Sequence, residues 1–280
     1  MTSALVATAW LAERLTDHDL AVVDATWHMP ATGLRGRDDF ETAHIPGAVF
    51  FDIDEIADRG TDLPHMLPSP EACAAAVGDL GLRRDAAIVV YDAHGMFSAP
   101  RVWWTLRAMG FERVSVLDGG FPKWRAEGHP FTTGPGAPGR DRVEPGFRTE
   151  LVRNLGQVRS ALENGSEQVV DARPAPRFRG EVPEPRAGLR SGHMPGAHNV
   201  PFGELINPDG TMKAPDELRA AFAAAGVDLD RPIVTTCGSG VSAAVLALGL
   251  ARLGREDVAV YDGSWTEWGG RADTPVVTGA

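Results

Sequence analysis

The sequence predicts an α/β protein of two tandem domains, each a mainly parallel sheet flanked by helices. Three observations carry this. A length of 280 residues suits two domains better than one, since a domain usually holds about 100–200 residues. Three strings recur in the same order at nearly constant offset: VVDAT and VVDAR place Asp24 and Asp171 147 residues apart, HIPGA and HMPGA place His44 and His193 149 apart, and LDGG and YDGS place Asp118 and Asp262 144 apart. Ordered repetition of this kind marks a duplication. Within each copy, short β-branched runs alternate with helical patterns, as parallel strands joined by crossover helices require.

The elements follow in order. Strands are expected at 21–24, 87–91 and 114–117 in the first copy, and at 168–171, 232–236 and 258–261 in the second. Ser69-Pro70-Glu71 offers a cap, a proline at the first helical position and an acid in the first turn. Ala214-Pro215-Asp216-Glu217 opens the corresponding helix of copy two, and a long apolar helix begins near Val241. The stretch TTGPGAPGRDRVEPG is rich in Gly and Pro and lacks periodicity, so it reads as a linker. The expected division is therefore 1–131, a linker at 132–146, and 147–280.

A net charge of -11 argues against nucleic acid or an anionic membrane as partner, because both require a basic surface. An anionic substrate must instead be held by locally placed arginines. The amino end lacks the basic and apolar regions of a signal peptide, and the apolar run at 241–253 is too short and too interrupted to span a membrane. The two cysteines, Cys73 and Cys237, suggest no disulfide framework, and a cytoplasmic location is expected. No zinc-like clustering of ligands is present and no cofactor is implied.

Cys73 lies in an alanine-rich helix and reads as a small core residue. Cys237 is different, because it directly follows a buried-type strand and precedes a Gly-Ser-Gly turn into a helix. Gly238 and Gly240 permit a tight path, and backbone N–H groups at a helix start can face whatever the sulfur carries. Such a setting lowers a thiol pKa and stabilises a thiolate or persulfide. Copy one, reading IVVYDAHGMFSAP where copy two reads IVTTCGSGVSAAV, has no cysteine there.

The string CGSGVSA, with HMPGA upstream and DGSW downstream, resembles the tandem-domain rhodanese superfamily, in particular its 3-mercaptopyruvate sulfurtransferase branch. The likeness extends over FDID, HMLP, SAPRVWW, LDGG, RFRG and PEPR, essentially the whole chain. It implies a non-catalytic first rhodanese-like domain and a catalytic second one, with the site between them. The family loop often reads CGSGVTA, and Ser242 here keeps the hydroxyl of that threonine. Thiosulfate-using relatives tend to carry basic side chains beside the cysteine. Gly238 and Ser239 are neutral, which favours 3-mercaptopyruvate as donor over the dianion thiosulfate.

By the same resemblance, Arg177 and Arg186 match arginines that clamp the carboxylate and keto oxygens of the donor. The residue-level alternative is that they are exposed or paired with Glu181 and Glu184. Asp54 and His65 match an Asp and His that act with the serine two places after the cysteine, Ser239; a solvent-exposed loop histidine is the alternative for His65. The loop residues Gly238, Gly240, Val241 and Ser242 would line the donor site. His44 and His193 occupy duplicated turns and read as structural, as do Asp24, Asp171, Asp118 and Asp262.

The expected function is a sulfurtransferase that passes sulfur through a Cys237 persulfide to thioredoxin, a small thiol or cyanide, releasing pyruvate. A thiosulfate:cyanide sulfurtransferase is the nearest alternative. A non-catalytic persulfide carrier or thiol sensor is another. A cysteine phosphatase is disfavoured, because its phosphate-gripping arginine would fall at Ala243.

Overall fold

Two five-stranded, all-parallel sheets form the framework of the computed structural model, which describes residues 3–279. The first sheet contains β1 (Leu5–Val6), β2 (Leu20–Asp24), β3 (Val49–Phe50), β4 (Ala87–Tyr91) and β5 (Val114–Leu117), in the order β1-β5-β4-β2-β3. The second contains β6 (Val152–Arg153), β7 (Gln168–Asp171), β8 (His198–Asn199), β9 (Ile233–Thr236) and β10 (Ala259–Tyr261), in the order β6-β10-β9-β7-β8. The two orders are the same once each strand is matched to its counterpart. The duplication read from the three repeated strings is thus a duplication of topology.

In each sheet the two longest runs pair at the centre, with Val22 opposite Val89 and Val169 opposite Val234. Every residue of β4 and β9 is buried. A strand covered on both faces shows a continuous apolar run rather than alternation, which is why these strands are legible as IVVY and IVTT. The helices are α1 (Thr8–Ala12), α2 (Gly36–Thr42), α3 (Pro70–Asp79), α4 (Ala99–Ala108) and α5 (Gly120–Ala126), then α6 (Leu155–Asn164), α7 (Ala175–Phe178), α8 (Pro215–Ala224), α9 (Ala243–Arg252) and α10 (Ser264–Trp268).

Local chemistry explains several boundaries. Ser69 Oγ accepts the Ala72 N–H at 3.2 Å at the start of α3, and the Glu217 carboxylate accepts the Ala214 N–H at 3.1 Å at the start of α8. Gly240 has φ +79°, so the chain turns through the left-handed region before α9 and the helix opens at Ala243 rather than near Val241. The two-residue strands β1, β3, β6 and β8 have no counterpart in the sequence expectation. Two residues carry no periodicity, and only pairing to a longer neighbour creates them.

The chain divides into two compact units. The first comprises the residues up to Arg59, Leu67–Arg148 and Asn207–Met212; the second comprises Gly60–Met66, Thr149–Ile206 and the residues from Lys213 onward. The Gly/Pro-rich stretch after Thr132 is held by the first unit: Gly134 N–H donates to Glu41 O at 2.8 Å, Asp141 N–H to Gly78 O at 2.9 Å, and Arg84 Nε to Glu144 O at 3.0 Å. Each unit has its own core. Phe40, Phe50, Val89, Tyr91 and Trp124 pack together in the first, and Val169, Val234, Tyr261, Trp265 and Trp268 in the second. No helix among the described residues is long and apolar enough to cross a membrane.

His44 and His193 are buried in equivalent turns. The ring of His44 stacks on Phe40 at 3.9 Å and its Nδ1–H donates to Phe40 O at 2.7 Å; the ring of His193 stacks on Phe178 at 3.7 Å and donates to Phe178 O at 2.8 Å. Both carry out the same packing task, one in each unit.

Candidate active site

Cys237 follows β9 directly, six positions before the first residue of α9. It is buried, with 2% of its surface exposed. Its immediate partners are polar. The amide N–H of Cys237 donates to Ser264 Oγ at 3.2 Å, and Ser264 Oγ donates to Tyr261 O at 2.8 Å. The carbonyl of Cys237 accepts the Trp265 N–H at 3.0 Å, and the carbonyl of Gly238 accepts the Thr266 N–H at 2.8 Å and the Thr266 hydroxyl at 2.9 Å. The first turn of α10 therefore grips the start of the cysteine loop on three backbone groups, the Cys237 N–H and the carbonyls of Cys237 and Gly238.

The remaining loop residues follow from this anchoring. Ser239, Gly240 and Val241 are buried, Gly238 is half-buried, and Ser242 takes the N-cap position of α9 with φ -73° and ψ -14°. Every residue from Ala243 to Ala251 is buried, so a rigid apolar helix backs the loop. A helix buried on all sides needs no polar face, which accounts for the unbroken run AAVLALGLA.

Arg177, at the end of α7, reaches the loop: a Cβ on Gly238 would lie 3.1 Å from Arg177 Nη2. The same guanidinium is paired with Glu184, by Nε to Oε1 at 3.3 Å and by Nη2 to Oε2. Glu184 also accepts from Arg173 Nη1 at 2.8 Å. Arg173 in turn bonds Asp171 through Nε at 2.9 Å and Nη2 at 2.7 Å, donates to Gly192 O at 2.9 Å, and lies 4.2 Å over the ring of Trp265. The pairing of Arg177 with Glu184 and its approach to Gly238 thus hold at once.

The other expected residues are placed as follows. Arg186 is half-buried in the second unit, nine residues beyond Arg177. His65 is buried in the second unit, with a non-glycine φ of +62°. Asp54 belongs to the first unit, where it accepts the Trp27 indole N–H at 2.9 Å. Cys73 is fully buried in α3, and burial pushes its thiol up to about 12.

The equivalent loop of the first unit is informative. Asp92 follows β4 as Cys237 follows β9, and its carbonyl accepts the Phe121 N–H at 3.0 Å as that of Cys237 accepts the Trp265 N–H. Its carboxylate accepts four backbone amides: Oδ1 that of His94 at 2.8 Å, and Oδ2 those of Phe97 at 2.8 Å, Ser98 at 2.9 Å and Ala99 at 2.8 Å. A loop at this point of the fold is built to hold an anion. In the first unit the protein's own carboxylate fills it.

Reading the motifs alone misses Ser264 and Arg173, whereas Glu184 is expected there only as an alternative partner of Arg177. Both missed residues are visible as differences between the copies. Where copy one has Gly120 at φ +55°, copy two has Ser264 at φ +48°. Where copy one has Thr26 two residues after Asp24, copy two has Arg173 two residues after Asp171.

Comparison with known proteins agrees with the topology. The family model for the rhodanese-like domain matches residues 7–127 and 154–271. The 3-mercaptopyruvate sulfurtransferase of Escherichia coli strain K12 is 45% identical over 276 residues, covering 98% of this chain and 98% of that protein. The thiosulfate sulfurtransferase of Bos taurus is also 45% identical over 276 residues, covering 96% and 93%. Among solved structures, SseA from Escherichia coli, described as a 3-mercaptopyruvate sulfotransferase with the rhodanese fold, superposes with a TM-score of 0.87 at 42% identity, covering 94% of this chain and 99% of that one.

Proposed function

The chain belongs to the rhodanese-like family, and on that footing we propose that it is a sulfurtransferase that takes sulfur from 3-mercaptopyruvate as a persulfide on Cys237. The observation that carries the reading is the placement of Cys237 at the head of α9, its amide fixed by Ser264 Oγ, with the Arg177 guanidinium against Gly238. The first unit's loop turns four amides onto the anionic Asp92 side chain. The corresponding loop of the second unit would do the same for a thiolate or persulfide.

The Cys237 thiolate attacks the sulfur of the donor and forms an S–S bond. The carbon–sulfur bond breaks, its electron pair stays on carbon as the enolate of pyruvate, and a proton completes pyruvate. Ser239, with His65 and Asp54, supplies that proton. Arg177 and Arg186 hold the carboxylate and keto oxygens, and Gly238, Gly240, Val241 and Ser242 line the loop around the sulfur. A thiolate of thioredoxin or of a small thiol, or cyanide, then attacks the outer sulfur and restores the Cys237 thiolate. Donor and acceptor share one covalent intermediate, so the kinetics are ping-pong. The division of labour is a non-catalytic first domain, 1–131, joined through 132–146 to a catalytic second domain, 147–280, in a cytoplasmic protein.

Similarity alone does not choose the donor, because relatives named for 3-mercaptopyruvate and for thiosulfate are equally identical to this chain. The loop chemistry favours 3-mercaptopyruvate. Gly238 and Ser239 bring no positive charge, and the guanidinium that reaches the loop is already paired with Glu184, so a dianion finds little net attraction. The test is mass spectrometry of the protein after exposure to each donor, alongside release of pyruvate or sulfite. One added sulfur on Cys237 with pyruvate release is expected, and loss of both in Cys237→Ser. Faster sulfite release from thiosulfate would transfer the protein to the alternative donor, and a fully active Cys237→Ser would end the mechanism.

A further inference from the structure

Asp171, Arg173, Glu184 and Arg177 form a chain of alternating charge that ends at the cysteine loop. Two guanidiniums meet two carboxylates, so the four groups sum to zero charge. Asp171, Arg173 and Glu184 have side chains no more than 1% exposed, whereas Arg177 is 21% exposed and faces Gly238. In so buried a cluster an unmatched charge is screened weakly and is felt over several ångströms. Glu184 thus does two things to Arg177: it fixes the guanidinium through its Nε and Nη2 edge, and it cancels its charge.

We propose that this cluster, through Glu184, sets the charge class of the sulfur donor, admitting a monoanionic thiol acid and discriminating against a dianion. The proposal rests on the sulfurtransferase reading above and assigns Glu184 as a positioning residue acting through Arg177. Removing the Glu184 charge leaves one net positive charge beside Gly238, and a dianion gains more from it than a monoanion does.

The experiment is the ratio of kcat/KM for thiosulfate to that for 3-mercaptopyruvate in the full chain and in Glu184→Gln and Asp171→Asn, each of which removes one carboxylate of the cluster. One unit charge acting on one extra donor charge at this range shifts the ratio by about tenfold, upward in Glu184→Gln and upward by less in Asp171→Asn, whose charge lies farther from Gly238. A merely structural role lowers activity with both donors by one common factor, and an unchanged ratio in both variants overturns the proposal. Should Glu184→Gln not fold, Asp171→Asn decides, because it leaves the cluster with the same one net positive charge and keeps Arg177 paired with Glu184. If the unaltered protein forms no Cys237 persulfide with either donor, the sulfurtransferase reading itself fails, an outcome distinct from an unchanged ratio.

Discussion

Ser264 Oγ lies 3.2 Å from the amide nitrogen of Cys237 and accepts its proton, although placing it there holds Ser264 at φ +48°. The left-handed region costs a side-chain-bearing residue about 1–3 kcal/mol, and copy one uses Gly120 at the equivalent point. A Cβ on Gly120 would come within 2.7 Å of Asp92 O and Gly95 O, so the first unit has no room for the serine. Ser264→Ala should keep the strain and orphan a buried N–H, lowering stability by about 2 kcal/mol. Ser264→Gly loses the same bond but relieves the strain, so it should melt higher than the alanine variant. Both should slow Cys237 persulfide formation, measured by rapid quench and mass spectrometry.

Asp92 is the first unit's internal anion. In Asp92→Asn the side-chain NH2 would meet amide donors that now point at carboxylate oxygen. A loss of about 3 kcal/mol is expected, read as a lower urea midpoint, while Cys237 of the folded variant still takes up one sulfur. An unchanged midpoint would mean that the four bonds contribute nothing to stability.

Asp24 makes stability depend on pH in a direction opposite to that of an ion-paired acid. Burial pushes its carboxyl up from 3.8 to about 6, against opposing hydrogen bonds from Thr26 and Tyr91, with Asp92 adding a smaller upward push. A raised folded pKa means the native state holds the proton more tightly. The contribution is therefore fully present below about 3.8 and is lost as pH rises through about 6, a swing of about 3 kcal/mol. Asp24→Asn is neutral throughout, so its stability relative to the unaltered protein should improve by about that amount between about pH 4 and pH 7. A difference that stays constant across this range, in parallel denaturant titrations, would contradict the assignment.

Cys73 should carry no sulfur. Its thiol is fully buried and pushed up to about 12, so at neutral pH almost none is thiolate. Cys73→Ala should retain full turnover at a cost of about 1 kcal/mol, and peptide mapping after donor exposure should find the added sulfur on the Cys237 peptide alone.

Much of this protein's architecture is legible in its sequence. The run IVVY marks β4, VSVL marks β5 from end to end, and Ser69-Pro70 marks the start of α3, because each signal is local and depends on neighbours in the chain. Cys237 was equally legible: a strand, two glycines and a helix start are adjacent in sequence. Arg177 is legible only through the family resemblance, with exposure or pairing to Glu181 and Glu184 as the residue-level alternative to substrate binding. The short strands β1, β3, β6 and β8 were not legible, since two residues become a strand only when a neighbour pairs with them.

Ser264 and Arg173 elude motif reading for a related reason. A serine after Asp-Gly looks like a turn residue, and an arginine after a strand looks like surface charge. By itself the sequence determined the duplication, the strand and helix grammar, and the one thiol at a helix head, because these are properties of contiguous segments. Only the tertiary structure decided which amide is anchored, which charge is cancelled and which carboxylate fills the loop after β4. Hydrogen bonds and ion pairs act over about 3 Å of space, and in this chain the groups that make them, such as Cys237 and Ser264, stand many residues apart.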